Sequence, residues 1–139
     1  MVKTSLVEHD IEDGKRLIEV LNATPSGGHP YSHFRIQAAF WLYSPESLSW
    51  KLVIATPLID QRGPFETYTD IQGALRFMTP PLAISLQDIS VVSPNDNLVK
   101  LVKKAVRVPP GVQGVRFTHD TIDNTYIEDA YIYRLQRAA

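Results

Sequence analysis

The last stretch of the chain, residues 117–135, carries several groups that could do acid–base or metal chemistry. The segment FTHDTIDNTYIEDAYIYRL contains one histidine, four acids and three tyrosines. A histidine transfers protons near neutral pH, and a neighbouring carboxylate can orient its imidazole. His119 with Asp120 is therefore the pair in this segment that could perform catalysis.

Two carboxylates in the same stretch cannot act together. Glu128 and Asp129 are adjacent in a predicted strand, so their side chains point to opposite faces of the sheet. Asp129 shares its face with apolar and tyrosine side chains, and a buried carboxylate needs a partner. We predict a structural role for Asp129, with Arg116 or a tyrosine hydroxyl as its partner.

The turn between the last two strands decides which residues face these acids. A two-residue turn at positions 123 and 124 places Thr118 opposite Asp129. The same turn places His119 opposite Glu128. A three-residue turn shifts the register and puts His119 against Asp129 instead. Both registers are compatible with the sequence.

A second group of candidates follows two other predicted strands. Arg62 lies near the start of one predicted helix, and Ser93 and Asn95 lie near the start of another. Helix N-termini attract anions, so these residues could bind a phosphate or a carboxylate, with Asp60 as a further catalytic candidate. The same residue types are common helix caps and turn formers. Both interpretations therefore remain open.

Several other chemistries are excluded or unsupported. The chain has no cysteine, which excludes disulfides, thiol nucleophiles and cysteine-bound zinc. His29 and His33 have the spacing of zinc ligands on a helix, but Pro30 prevents a regular helix there. No glycine-rich phosphate loop, zinc-protease histidine pair or serine-hydrolase motif is present. We predict no metal and no cofactor.

Aromatic residues along the first predicted hairpin could form an interaction surface. Trp41, Tyr43 and Trp50 are residue types that often anchor protein interfaces. In a domain of this size the same side chains are equally typical of the core. If the first strand is an edge of the sheet, its free backbone offers a surface for a partner or a second copy.

A basic stripe is predicted on the third helix. Its members recur at helical spacing and are Lys100, Lys103, Lys104 and Arg107. Such a stripe could contact a nucleic-acid backbone or an acidic partner. Solvated cations near a helix C-terminus are the simpler interpretation, because four charges supply attraction without sequence readout.

The composition is that of a globular domain. The chain has 139 residues, 44% of them hydrophobic and 21% charged, with a formal net charge of -1. This length suits a single domain over residues 1–139. No apolar run approaches the roughly 18 residues of a membrane span, and no signal peptide is recognisable. We expect a cytoplasmic protein without membrane contact.

Apolar residues recur at helical intervals in three segments. A capping box at positions 5–8 begins a helix over about 6–22, in which Gly14 permits close packing. Gly63-Pro64 begins a second helix, with a predicted buried stripe of Phe65, Tyr68, Ile71, Leu75 and Met78. Ser93 is predicted to cap a third helix that runs to about residue 106.

Five segments are predicted to be strands, and these are residues 34–43, 50–55, 88–92, 115–119 and 126–135. The resulting order, α-β-β-α-β-α-β-β, predicts an α+β fold with α/β-like character: a mixed five-stranded sheet flanked by three helices. If strands two, three and four are mutually parallel, their carboxyl ends bring Arg62, Ser93 and His119 to one edge.

The sequence contains no convincing catalytic constellation. We therefore expect a small soluble non-enzymatic domain that acts by binding, through a protein partner or through self-association. The alternative is a ligand-binding protein or an enzyme with an anion site at the carboxyl edge, formed by Arg62, Ser93 and His119. A third hypothesis is nucleic-acid binding through the basic stripe.

Overall fold

The computed structural model of the chain describes residues 6, 8–22, 34–105, 114–122 and 125–135. At some strand positions, among them His119, Asp120 and Glu128, it describes the backbone alone. Five of the predictions concern positions outside the described residues, namely the capping box that begins at Ser5, His29, His33, Arg107 and the turn at Asp123-Asn124.

One mixed sheet organises the described residues. The strands are β1 (Ala38–Ser44), β2 (Ser49–Ala55), β3 (Ile89–Val92), β4 (Val115–Ile122) and β5 (Thr125–Leu135). The helices are α1 (Glu8–Leu21), α2 (Leu58–Arg62), α3 (Pro64–Phe77) and α4 (Asn97–Ala105). The strand order is β3-β2-β1-β5-β4. The predicted α+β fold with a mixed five-stranded sheet is confirmed, and the one-turn helix α2 is an addition to the three predicted helices.

The strand directions differ from the expectation at one strand. β2 and β3 are parallel, as predicted. β1 pairs antiparallel with both β2 and β5, and β4 pairs antiparallel with β5. β4 therefore runs opposite to β2 and β3, and the expected three parallel strands are wrong at β4. The short hairpin forces β4 to run against β5, and the docking of β5 beside β1 sets the direction of both strands.

β1 lies in the centre of the sheet, with β2 on one side and β5 on the other. The expectation that the first strand could be an edge is therefore wrong. Its central position follows from its composition, since AAFWLY presents buried side chains on both faces of the sheet. The two edges are formed by β3 and β4.

Helices cover both faces of the sheet. α1 and α3 pack on one face, where Leu17 and Ile71 join Trp41 and Leu52 in a buried cluster. α4 packs on the other face, where a second cluster combines Phe40, Val53, Val99, Val102 and Ile132. Each fully buried side chain of this kind stabilises the fold by roughly 1.5–3 kcal/mol, before the loss of conformational entropy is counted.

The predicted stripe of α3 packs against the core except at Phe65, since Ile71 and Met78 are buried and Tyr68 and Leu75 are partly buried against the same cluster. Thr67, Ile71 and Ala74 are the buried residues of the helix, whereas Phe65 is 82% exposed. The difference arises because α2 precedes α3 and packs its own Leu58 and Ile59 against the core. The prediction that Phe65 is buried is therefore wrong.

The cap of α4 is also displaced. Ser93 begins a turn in which its carbonyl accepts the Asp96 N–H at 3.0 Å. Asp96 then caps the helix, because its Oδ1 accepts the Leu98 N–H at 2.9 Å. Asp and Ser are both good caps, so local propensity did not distinguish them.

Candidate functional site

The carboxyl ends of β2 and β3 meet, as their parallel pairing requires. Ser93, after β3, donates a hydrogen bond from Oγ to Asp60 Oδ2 at 2.7 Å, and Asp60 lies in α2 after β2. Ser93 Oγ also accepts the Asn95 N–H at 3.1 Å. The structure thus brings together three of the predicted candidates, Asp60, Ser93 and Asn95. Both hydrogen bonds join these residues to one another.

Arg62 lies in the same region but faces acidic residues. Its guanidinium donates to Glu66 Oε2 at 3.1 Å and forms an ion pair with Asp70. The hydrogen bond with Glu66 and the negative charge of Asp70 raise the pKa of Arg62 above its ordinary value. Two carboxylates of the chain therefore already pair with the Arg62 guanidinium that was expected to attract an anion.

His119 and Asp120 lie at the other end of the sheet. β4 is separated from β2 by β1 and β5, which corresponds to three strand spacings, or roughly 14 Å. Because β4 runs antiparallel to β2, the carboxyl end of β4 also lies at the opposite end of the strands from the carboxyl ends of β2 and β3. The structure therefore does not bring His119 to Arg62 or Ser93.

The aromatic residues of the first hairpin lie in or against the core. Trp41 is fully buried, and its Nε1 donates to the Tyr133 hydroxyl at 2.8 Å. That hydroxyl donates in turn to the Ile11 carbonyl at 2.7 Å. A side chain at Gly14 would collide with Tyr133 and reach 3.0 Å from Trp41 Nε1. The predicted close packing at Gly14 is confirmed, and it joins α1 to the middle of the sheet.

Burial changes the acidity of Tyr133. Its removal from water raises the pKa of the phenol, although the hydrogen bond from Trp41 lowers it in part. The neighbouring Tyr131 and the acids Asp10 and Glu12 raise it further. Tyr133 is therefore a neutral hydrogen-bonding group that holds α1, β1 and β5 together.

Tyr43 and Trp50 pack beside the terminal hairpin. Their rings meet edge to face with centroids 5.5 Å apart. The guanidinium of Arg116 stacks over Trp50, with its Cζ at 5.5 Å from the ring centroid. These two aromatic residues connect the first hairpin to the last one across the surface of the sheet.

The register of the terminal hairpin follows the two-residue turn. Ile122 pairs with Thr125 and Thr118 pairs with Asp129. Arg116 binds Asp129 with both prongs, from Nε to Oδ1 and from Nη2 to Oδ2, each at 2.6 Å. The predicted Arg116 partner of Asp129 is confirmed. The Asp129 side chain is 23% exposed, so it is only partly buried.

The outer edge of β3 is short and capped. Val91 pairs alongside Ile54, and Thr56 bonds to Val92, so the Val91 N–H points away from β2. The Tyr68 hydroxyl of α3 accepts this N–H at 2.8 Å. The four-residue edge therefore offers little to another strand.

The outer edge of β4 is twice as long and is not paired with any described strand. Residues that flank a two-residue turn bond to each other, so Ile122, Asp120, Thr118 and Arg116 direct their backbone groups to β5. The alternate residues, Val115, Phe117, His119 and Thr121, then direct theirs outward. Sequence reasoning missed this edge because a hairpin turn indicates which residues bond within the hairpin but not where the hairpin lies in the sheet.

The predicted basic stripe lies on α4, opposite its buried residues. Lys100 and Lys104 are exposed and Lys103 is partly buried, whereas Val99 and Val102 face the sheet. Lys103 and Lys104 lie in the last turn of the helix, where cations interact favourably with the helix dipole.

Two acids of α1 are buried, which the sequence did not predict. Asp10 and Asp13 are almost inaccessible. Asp13 Oδ2 accepts the Ala83 N–H at 2.9 Å and lies 3.1 Å from His9 Nε2. His9 itself is mostly exposed. Asp13 therefore fastens α1 to the segment after α3, and no helical pattern of apolar residues reveals such a role.

Comparisons with known proteins give no relative. The chain matches no protein family model, no curated protein and no solved structure. Among the residues that the structure describes, no helix is long and apolar enough to cross a membrane. Within the same residues, no group of three acids or histidines has the arrangement of a metal site.

Proposed function

We propose that this protein is a non-enzymatic domain that acts by binding, and that it associates with a second copy of itself through the outer edge of β4. The observation that carries this proposal is the difference between the two edges of the sheet. β3 has four residues, and its outward Val91 N–H is bound by the Tyr68 hydroxyl. β4 has eight residues and no described strand beside it. Unpaired edge strands bind other strands through main-chain hydrogen bonds.

Proline at an outward-facing position tests the proposal. His119→Pro removes an N–H that points away from β5, so the hairpin keeps its own hydrogen bonds. Sedimentation velocity over a wide concentration range should show a dimer for the unmodified chain. We expect His119→Pro to raise the dissociation constant at least about thirtyfold, since each lost main-chain bond is worth about 0.5–1.5 kcal/mol and neighbouring bonds are lost with it.

His119→Ala is the matched control, because it changes the same side chain but keeps the backbone donor. It should dimerise nearly as well as the unmodified chain. A chain that remains monomeric at every concentration contradicts the proposal. So does a dimer that His119→Pro leaves unchanged while circular dichroism shows an intact fold.

A second candidate function is ligand binding between the carboxyl ends of β2 and β3. The chain leaves β2 towards the face that α3 covers and leaves β3 towards the face that α4 covers. Ligands of open α/β sheets often bind where neighbouring connections diverge in this way. The Asp60–Ser93 hydrogen bond spans this point.

A thermal-shift screen with phosphate, nucleotides and divalent metal ions tests this candidate. A ligand that binds there should raise the melting temperature of the unmodified chain and have less effect on Ser93→Ala. Ser47→Ala, in the turn before β2, is the control. If no ligand raises the melting temperature, or if Ser93→Ala responds like the control, this second candidate is wrong.

A further inference from the structure

We infer that the two β4 strands of the proposed dimer pair antiparallel about a two-fold axis at Thr118, with Arg116 of each chain opposite Asp120 of the other. This inference rests on the proposed self-association and specifies its register. The resulting dimer has one continuous sheet made of two five-stranded halves.

The backbone groups of β4 point alternately towards β5 and outward, and this restricts the registers in which two β4 strands can pair. Only residues whose backbone groups point outward can bond to the second chain, and these alternate along the strand. An antiparallel pairing therefore has to place each outward residue of one chain opposite an outward residue of the other. The two-fold axis then lies between the two copies of one residue and never between two consecutive residues of a strand. With the axis at Thr118, Phe117 of one chain bonds with His119 of the other.

Charge then selects among the remaining registers. Arg116 and Asp120 lie two positions on either side of Thr118, so a two-fold axis there places opposite charges directly across from each other, twice. An axis at Arg116 or at Asp120 places like charges across from each other instead. Directly opposed unlike charges stabilise a strand pair and like charges destabilise it. An axis at Phe117 or His119 aligns neither pair.

Arg116 is already held in a suitable position. Asp129 engages its Nε and Nη2, and Trp50 lies beneath its Cζ at 5.5 Å. The Asp129 contacts do not use Nη1, and the side chain is 46% exposed. A guanidinium has five N–H donors in a rigid plane, so it can bind a second carboxylate while it keeps the first. Because the side chain is ordered beforehand, a partner Asp120 would immobilise it at little further entropic cost.

Single cysteines test the register directly, because the chain contains no cysteine of its own. An axis at Thr118 places the two Thr118 residues in a non-hydrogen-bonded pair, with Cα atoms roughly 4.5 Å apart. This distance lies within the range that a disulfide spans. Thr118→Cys should therefore form a covalent dimer under mild oxidation, seen on a non-reducing gel.

Asp120→Cys and Arg116→Cys are the matched controls on the same face of the strand. In the proposed register each cysteine lies about four residues, or roughly 13 Å, from its copy. Neither variant should form a covalent dimer efficiently. Both variants and Thr118→Cys are compared under reducing conditions by sedimentation, so that a loss of association is seen separately from a failure to cross-link.

The outcomes separate this inference from the proposed function. Efficient cross-linking at Thr118 alone supports both. Efficient cross-linking at position 116 or 120 overturns the register but leaves association through β4 intact. A monomer at every concentration overturns both. A dimer that forms no disulfide at any of the three positions, and that tolerates His119→Pro, has another interface and also overturns both.

The proposed ion pairs are tested by charge reversal. Asp120→Arg places two arginines across from each other on both sides of the axis. We expect the dissociation constant to rise about tenfold at low salt, and the difference to shrink at high salt because exposed charges are screened. Glu46→Arg, at an exposed position in the turn before β2, is the control for a change of net charge. Equal association of the Asp120→Arg variant and the control contradicts the assigned register.

Discussion

The two edges of this sheet meet solvent in different ways. At β3 the strand is short, α3 reaches over it, and the Tyr68 hydroxyl binds the outward N–H of Val91. At β4 the strand is twice as long and no described strand lies beside it. The short edge therefore has an outward N–H bound within the chain, whereas the longer edge has the length that main-chain hydrogen bonding with another strand requires.

The two ends of the sheet are also held by different kinds of contact. Near β3, the helices α2 and α3 bury apolar side chains against the sheet. Near β4, the Arg116–Asp129 ion pair and the Arg116–Trp50 stack lie at the surface. The β4 edge is then held in place by β5, which the Tyr133 hydroxyl fastens to α1 and β1. Three substitutions test this comparison.

Tyr133→Phe should have the largest effect. It removes the acceptor for the buried Trp41 Nε1 and the donor for the Ile11 carbonyl. An unsatisfied buried polar group costs about 1–3 kcal/mol, so we expect the free energy of unfolding to fall by roughly 2 kcal/mol. Urea denaturation at neutral pH measures it. Tyr43→Phe is the control, and an equal effect of the two variants would contradict the role given to Tyr133.

The same variant makes a prediction at alkaline pH. Burial raises the pKa of the Tyr133 phenol, so the folded chain keeps this proton while the unfolded chain releases it near pH 10. The corresponding stability is fully present below about pH 10 and is lost as the pH rises above it. The stability of Tyr133→Phe should therefore fall less steeply between about pH 9 and 11 than that of the unmodified chain. Equal slopes would show that Tyr133 ionises normally in the folded chain.

Tyr68→Phe should have an intermediate effect because it opens the β3 edge. The Val91 N–H loses its acceptor but can bind water, so we expect a loss of about 1 kcal/mol. The amide of Val91 should also exchange with solvent faster, which hydrogen exchange measures residue by residue. Tyr43→Phe again serves as the control. Unchanged exchange at Val91 would show that the hydroxyl does not protect this edge.

Asp129→Asn should have the smallest effect on stability. Arg116 is about half exposed, and exposed ion pairs are worth about 0.2–1 kcal/mol. We expect a loss within this range at neutral pH and low salt, with a smaller loss at high salt. Glu46→Gln, at an exposed position in the turn before β2, is the control. A variant as stable as this control would contradict the structural role of Asp129.

Local patterns predicted the elements better than their arrangement. The five strands and the helices α1, α3 and α4 were all predicted within a few residues, because apolar periodicity and turn residues act over short distances. The same patterns misplaced one residue of the predicted stripe of α3, Phe65, and the cap of α4. α2 packs against the core just before Phe65, and the turn Ser93–Asp96 moves the start of α4 to Asn97.

The candidate site was predicted only in part. Asp60, Ser93 and Asn95 do meet, since β2 and β3 are neighbouring parallel strands. His119 does not join them, because the direction of β4 depends on where the last hairpin docks. Arg62 lies nearby but binds Glu66 and Asp70, which are one and two turns further along the chain. The residue types indicated which chemistry each side chain can perform, but not which residues it contacts in the folded chain.

The sequence by itself determined the class of fold and the alternation of side chains between the two faces of each strand. These properties depend on residues that are close in the chain. Only the tertiary structure decided that β1 is central, that β4 is an edge, and that Tyr68 caps Val91. Those properties depend on which apolar faces pack together across long separations, and alternative arrangements of the same elements bury similar areas and are not distinguished by local pattern.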